Sequence, residues 1–199
     1  MRKKARLLCL ALAVVLALLT GCGNQTPQAG SALGPYELSQ DQEELLELLG
    51  LSDTVGVIKF TGAEEATALS IDTYELQDGQ WQATGGGQIS REEAGEPWEG
   101  LAAIQSREDY SISLRVRTEG IASYTTDAAA PESDPQGWAL QFLDEETPIV
   151  LGEPIPVALF LYSGDGSLRT HALTDFADPA AFDGEDLALV QAVTLTFTA

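Results

Sequence analysis

The side chains of this sequence that could hold a metal or move a proton are mostly carboxylates: 31 Asp and Glu against a single histidine, His171. Five of the acids, Asp175, Asp178, Asp183, Glu185 and Asp186, fall within one short acidic stretch. Such a density of oxygen ligands suits Ca²⁺, which takes carboxylates and carbonyls, although the spacing does not match an EF-hand loop. Asp178 has a plainer role as well, since Pro179 follows it and the pair reads as an N-cap with proline at the first helical position. Glu92, Glu93, Glu96 and Glu99 surround Trp98, residue types that a glycosidase uses as acid, base and stacking platform. Glycosidase carboxylates are defined by their separation in the fold, which sequence does not supply, and a solvated loop is the simpler reading. Ser163 and Asp165 are close in sequence to His171, but a single hairpin rarely builds a triad. An enzyme here would need His171 to face acids in a cleft. Trp81 and Trp98, flanked by Gln and Glu, are expected at least partly exposed and are the candidate surfaces for stacking a sugar ring. Tyr110 and Trp138 lie on apolar faces and are expected in the core.

No G-x-S-x-G, H-E-x-x-H, P-loop or G-x-G-x-x-G pattern occurs. Thr84-Gly85-Gly86-Gly87 lacks the Lys-Ser/Thr that completes a phosphate cradle, and is expected to be a flexible turn or strand bulge.

The N-terminus carries an address. Arg2, Lys3, Lys4 and Arg6 precede an apolar run from Leu7 to Leu19. At about 1.5 Å per residue that run makes a helix of roughly 20 Å, short of a ~30 Å hydrocarbon core, so it reads as an export signal. Leu19-Thr20-Gly21-Cys22 resembles the lipobox of bacterial lipoproteins. The resemblance covers the first 22 residues and implies diacylglyceryl attachment to Cys22, cleavage before it, and a place on the outer face of the bacterial cytoplasmic membrane. Two acyl chains are enough for stable anchoring. Residues 1–21 are then signal peptide, 22–35 the lipidated cysteine with a Gly/Pro/Gln-rich tether, and 36–199 one domain.

Composition narrows the remainder. Cys9 leaves with the signal and Cys22 takes the lipid, so the domain has neither a disulfide nor a thiol nucleophile. Its cations are Lys59, Arg91, Arg107, Arg115, Arg117 and Arg169, against all 31 acids. Nucleic acid is excluded as a partner, and repulsion from anionic headgroups is expected, leaving the lipid as the membrane contact.

Ser39 to Leu49 predicts the one helix, with a Ser39/Gln42 capping box, Leu45, Leu48 and Leu49 on a face expected to pack on a sheet, and Gly50 as its stop. From Thr54 on, the period changes to two. Strands are predicted at Val55–Phe60, Ala68–Leu76, Trp81–Ala83 beyond an Asp78-Gly79 hairpin, Tyr110–Thr118, Ile121–Thr125, Trp138–Phe142, Pro156–Ser163, Leu168–Leu173 and Leu187–Thr198. The fold class expected is therefore mainly all-β, an antiparallel β-sandwich of eight or nine strands preceded by one short amphipathic helix. Lipobox, acidic leucine helix, β-rich domain and a late turn begun by Asp-Pro together resemble uncharacterised lipoproteins of Gram-positive anaerobes, a resemblance that implies no activity. The expectation is a membrane-anchored, non-enzymatic binding or envelope domain without a cofactor. A carbohydrate-binding lipoprotein, assisted by Ca²⁺, is the alternative, and a glycan-acting enzyme comes after it.

Overall fold

A computed structural model describes residues 30–199. The signal, Cys22 and most of the tether lie outside those residues. Eleven antiparallel strands form two sheets, confirming the all-β sandwich. The first has the order β7-β6-β5-β2-β1-β9 and the second β4-β3-β11-β10-β8. The strands are β1 (Ala32–Pro35), β2 (Val55–Gly62), β3 (Ala68–Gln77), β4 (Gln80–Ser90), β5 (Trp98–Ser106), β6 (Ile112–Arg117), β7 (Ile121–Thr125), β8 (Gly137–Phe142), β9 (Thr147–Pro148), β10 (Ile155–Ser163) and β11 (Leu187–Thr198). No helix among the described residues is long and apolar enough to cross a membrane.

Local chemistry accounts for several of these elements. Asp78 and Gly79 both have positive φ, the requirement of a two-residue type I′ hairpin, and they join β3 to β4 in register from Gln77↔Gln80. Helix α1 (Gln40–Leu48) opens with the Ser39 N–H donating to Gln42 Oε1 at 2.8 Å. It closes at Gly50, where φ is +68° and the N–H of Leu51 returns to the Leu46 carbonyl. The Thr84-Gly85-Gly86-Gly87 run lies inside β4, with a bulge where pairing shifts from Tyr74↔Ala83 to Thr73↔Gly85.

Between the sheets, Leu33, Ile58, Phe60, Ile104 and Leu114 meet Val193, Leu195 and Phe197, and the Phe60 and Phe197 rings touch edge to face at 5.4 Å. The second sheet is covered on its other side too. Two short 3-10 helices, Leu173–Ala177 and Pro179–Phe182, lie on it, with Phe176 and Phe182 against Tyr74 and Trp81. That double cover explains the near-continuous apolar sequence of β10 and β11.

Three expectations need correction. Ala32–Pro35, assigned to the tether by composition, is an interior strand between β2 and β9, with Leu33 at 0% exposure. Leu168–Leu173 is not a strand; the chain runs irregularly into the first 3-10 helix. The leucine face of α1 does not pack on a sheet: the helix has no buried residue, and Leu48 is 83% exposed.

Candidate functional site

Alternation along β8 places Trp138, Leu140 and Phe142 on one face, and pairing places Tyr162, Phe160 and Ala158 opposite them on β10. That face looks toward the first sheet, because the Tyr162 hydroxyl shares a 2.6 Å hydrogen bond with Ser106 of β5. At one end of β8 the sandwich is closed, with the Phe142 ring over Gly56 of β2, where a Cβ would collide with it. Trp138 lies four residues away, about 13 Å along the strand. There it is 56% exposed. It has the inward orientation predicted for it, but at a corner where the sheets part.

The corner is a cleft of about 820 Å³, floored by Tyr110, Tyr162 and Leu140 and bounded by Leu49, Trp138 and the turn 107–110. The turn is held hard. The Tyr110 N–H returns to the Arg107 carbonyl, and Asp109 Oδ1 accepts from the Ser111 hydroxyl at 2.6 Å and from the Ser111 N–H at 3.2 Å. The Ser111 hydroxyl, followed by its N–H, keeps the Asp109 carboxyl below the usual carboxylate range. Tyr110 itself sits at φ +59°, a conformation a bulky L-residue rarely adopts. Its carbonyl accepts from the Gln191 side chain at 3.1 Å, and its ring meets Tyr162 edge to face at 4.9 Å. Burial pushes the Tyr162 phenol up, so it stays neutral. Strain of this kind persists where the surroundings over-determine it, and such positions cluster at binding sites.

The tryptophans singled out from sequence are elsewhere. Trp98 is 7% exposed, with the Arg91 guanidinium over its ring and bonded to the carbonyls of Ala66, Glu64 and Glu96. The Trp81 indole N–H donates to the Phe176 carbonyl at 2.8 Å, and its ring packs on Phe176 and Phe182. Trp98 therefore presents no open face for a sugar, and Trp81 is partly covered by the two phenylalanines. Partial exposure was expected for both; Trp81 is partly exposed at the outer cover of the second sheet, whereas Trp98 is buried under Arg91.

The acidic stretch does not gather into a metal site; among the described residues no group of three or more His, Cys, Asp or Glu side chains could hold an ion. Asp178 caps the second 3-10 helix by accepting from the Ala180 N–H. The Asp183 carbonyl accepts from Arg169, and the Asp186 carboxylate lies beside Gly164. Asp175 and Glu185 instead clamp His171: Nδ1 is 3.1 Å from Asp175 Oδ2 and Nε2 is 2.8 Å from Glu185 Oε1. Glu185 Oε1 also takes Arg169 Nε at 3.0 Å, and the imidazole stacks on Phe182 at 4.6 Å. The histidine does face acids, but it is buried with both ring nitrogens engaged, the arrangement of a clamp on the 3-10 segment. Ser163 and Asp165 close their own turn, Ser163 Oγ donating to Asp165 Oδ1 at 2.9 Å.

Sequence reasoning missed the corner because alternation gives a side chain's face and not whether another layer reaches it. The signal that could have pointed there was Leu48-Leu49 beside Gly50, apolar residues at the end of a short acidic helix. Comparison with protein-family models, with curated proteins and with solved structures finds no match.

Proposed function

We propose that this chain is a lipid-anchored, non-enzymatic binding protein on the outer face of a bacterial cytoplasmic membrane, and that its partner docks at the open corner. The observation that carries this reading is the exposure of Trp138 in an aromatic-floored cleft. Of the five large apolar side chains most exposed among the described residues, Leu45, Leu48 and Leu49 share the α1 face and Trp138 lines the cleft with Leu49. Contiguous apolar surface of this kind marks an interaction site, and tryptophan is the commonest anchor of one. Glu44, Glu47 and Glu108 stand on the same helix and turn, so an apolar polypeptide segment carrying Lys or Arg fits best. The lipobox supports the anchor.

A second reading has one specific observation behind it. Trp138 and Tyr110 line the same cleft with Gln105 and Arg107 beside them, which is also how a saccharide is stacked and hydrogen-bonded. The carbohydrate alternative therefore moves from Trp81 and Trp98 to Trp138 and Tyr110.

Variants separate the two. Trp138→Ala should weaken either ligand by about 30-fold, near 2 kcal/mol, while changing stability by no more than about 0.5 kcal/mol because the side chain is exposed. Leu48→Ser with Leu49→Ser should weaken a basic apolar peptide and leave a glycan unaffected. The measurement is tryptophan fluorescence and thermal shift of the chain beyond Cys22, titrated with such peptides and with cell-wall glycan fragments. Binding that ignores Trp138→Ala would remove the corner from the account, and silence with every glycan would end the second reading.

A further inference from the structure

Beyond the signal, the sequence spreads six Lys and Arg thinly among 31 acids, but the fold does not. Cross-strand register sets Lys59 of β2, Leu101 of β5, Arg117 of β6 and Ile121 of β7 in one row on the outer face of the first sheet. The next row holds Val57, Ala103, Arg115 and Ser123. With strands about 4.8 Å apart, the Lys59 and Arg117 backbones are roughly 10 Å from each other, and Arg115 is about 7 Å further along β6. Lys59, Arg115 and Arg117 enter none of the ion pairs found among the described residues, all of which involve Arg169 or His171. On the strands of this face the one outward acid is Glu99; Glu119 stands at its border, and Glu146 lies over Gly34 beside the Lys59 side chain. Ile121, 76% exposed, lies in register beside Arg117.

A groove of about 860 Å³ on this face is lined by Lys59 and Arg117 and also by Glu99 and Glu146, and it reaches Gly30 and Ser31, where the chain enters the described domain. Seven residues, 23–29, separate Gly30 from Cys22, and they reach at most about 30 Å. The cationic face is thus the part of the domain next to the point of attachment.

We propose that the outer face of the six-stranded sheet docks on anionic lipid headgroups, through Lys59, Arg115 and Arg117 with Ile121 at the interface. The proposal rests on the lipid-anchor reading, and it replaces the expected overall repulsion with an oriented domain. Cations flanking an exposed apolar residue are the composition of an interfacial contact, and phosphates in a leaflet accept guanidinium groups at any lateral spacing. The acidic 3-10 segment, on the outer side of the second sheet, then points to solvent, where its charge resists non-specific association.

Lys59 is the sole lysine after the signal, so an amine-reactive reagent followed by peptide mass mapping reads this face directly. The lipidated full chain is reconstituted on phosphatidylcholine vesicles and on vesicles mixed with phosphatidylglycerol. Lys59 should react about fivefold more slowly on the anionic vesicles, and Arg115→Glu with Arg117→Glu should restore the faster rate. Equal rates on the two vesicles, or slowing that survives in the double variant, overturn the proposal. Flotation of the same samples reads the anchor separately. A protein that floats with both vesicles but shows equal rates keeps its anchor and loses this face; one that floats with neither loses both.

Discussion

Glu185→Ala should destabilise the domain by about 3 kcal/mol, a fall in melting temperature of roughly 6 to 12 °C for a domain of this size. The Glu185 carboxylate is 6% exposed, and three groups converge on it: His171 Nε2, Arg169 Nε and the Arg169 N–H at 3.2 Å from Oε2. Removing it leaves the buried imidazole Nε2 without its hydrogen-bond partner and Arg169 without its carboxylate, and a buried polar group stripped of its partner costs its full desolvation. Arg169 is mostly in water and loses little, which keeps the estimate at the lower end of the range. Because His171 stacks on Phe182, and Phe182 packs on Trp81, the loss should loosen the 3-10 cover before the sandwich. Trp81 fluorescence would then shift at lower denaturant than far-UV circular dichroism. Glu185→Gln, which keeps an acceptor, should cost about half as much. Equal losses in the two variants would mean that shape and not charge holds the segment.

A chain beginning at Tyr36 should fail to fold, whereas one beginning at Gly23 should fold fully. Deleting β1 removes four pairings with β2 and two with β9, and it takes Leu33 out of the core. It also removes Ser31, whose carbonyl accepts the Ile149 N–H. Truncating a buried leucine alone costs roughly 2 to 5 kcal/mol, before any ladder hydrogen bond is lost. Opening a gap between β2 and β9 adds to this, and the total approaches the whole stability of a typical domain, about 5 to 15 kcal/mol. Urea titration followed by circular dichroism checks it, and matching midpoints for the two chains would contradict the placement of β1.

The second prediction reflects what sequence alone can carry. Signals confined to a few neighbouring residues were legible: the Asp78-Gly79 hairpin, the Gln42 cap and Gly50 stop of α1, the alternation of β6 and β11. Ala32–Pro35 was not, because Ala, Gly and Pro have the composition of a linker. What makes them a strand is the pairing with Lys59 and its neighbours, which is a long-range fact. The same limit governed the tryptophans. Trp138 was given its correct face, but burial depends on how far the opposite sheet extends. Trp98 lost its expected exposure to Arg91, seven residues back, through three carbonyl contacts that no periodicity encodes. The His171 clamp joins residues 4 and 14 positions away through a loop with no repeat, and the cationic face exists only once β2, β5 and β6 are in register.

All of the functional reading assumes that the domain is presented at a membrane, and Cys22 decides that. The full chain and its Cys22→Ser variant can be expressed with their own signal in a bacterium fed a labelled fatty acid, then fractionated. The account predicts label and membrane association for the natural chain, and neither for the variant, whose exported domain should still melt at the unchanged temperature. Unchanged membrane association of Cys22→Ser would contradict it.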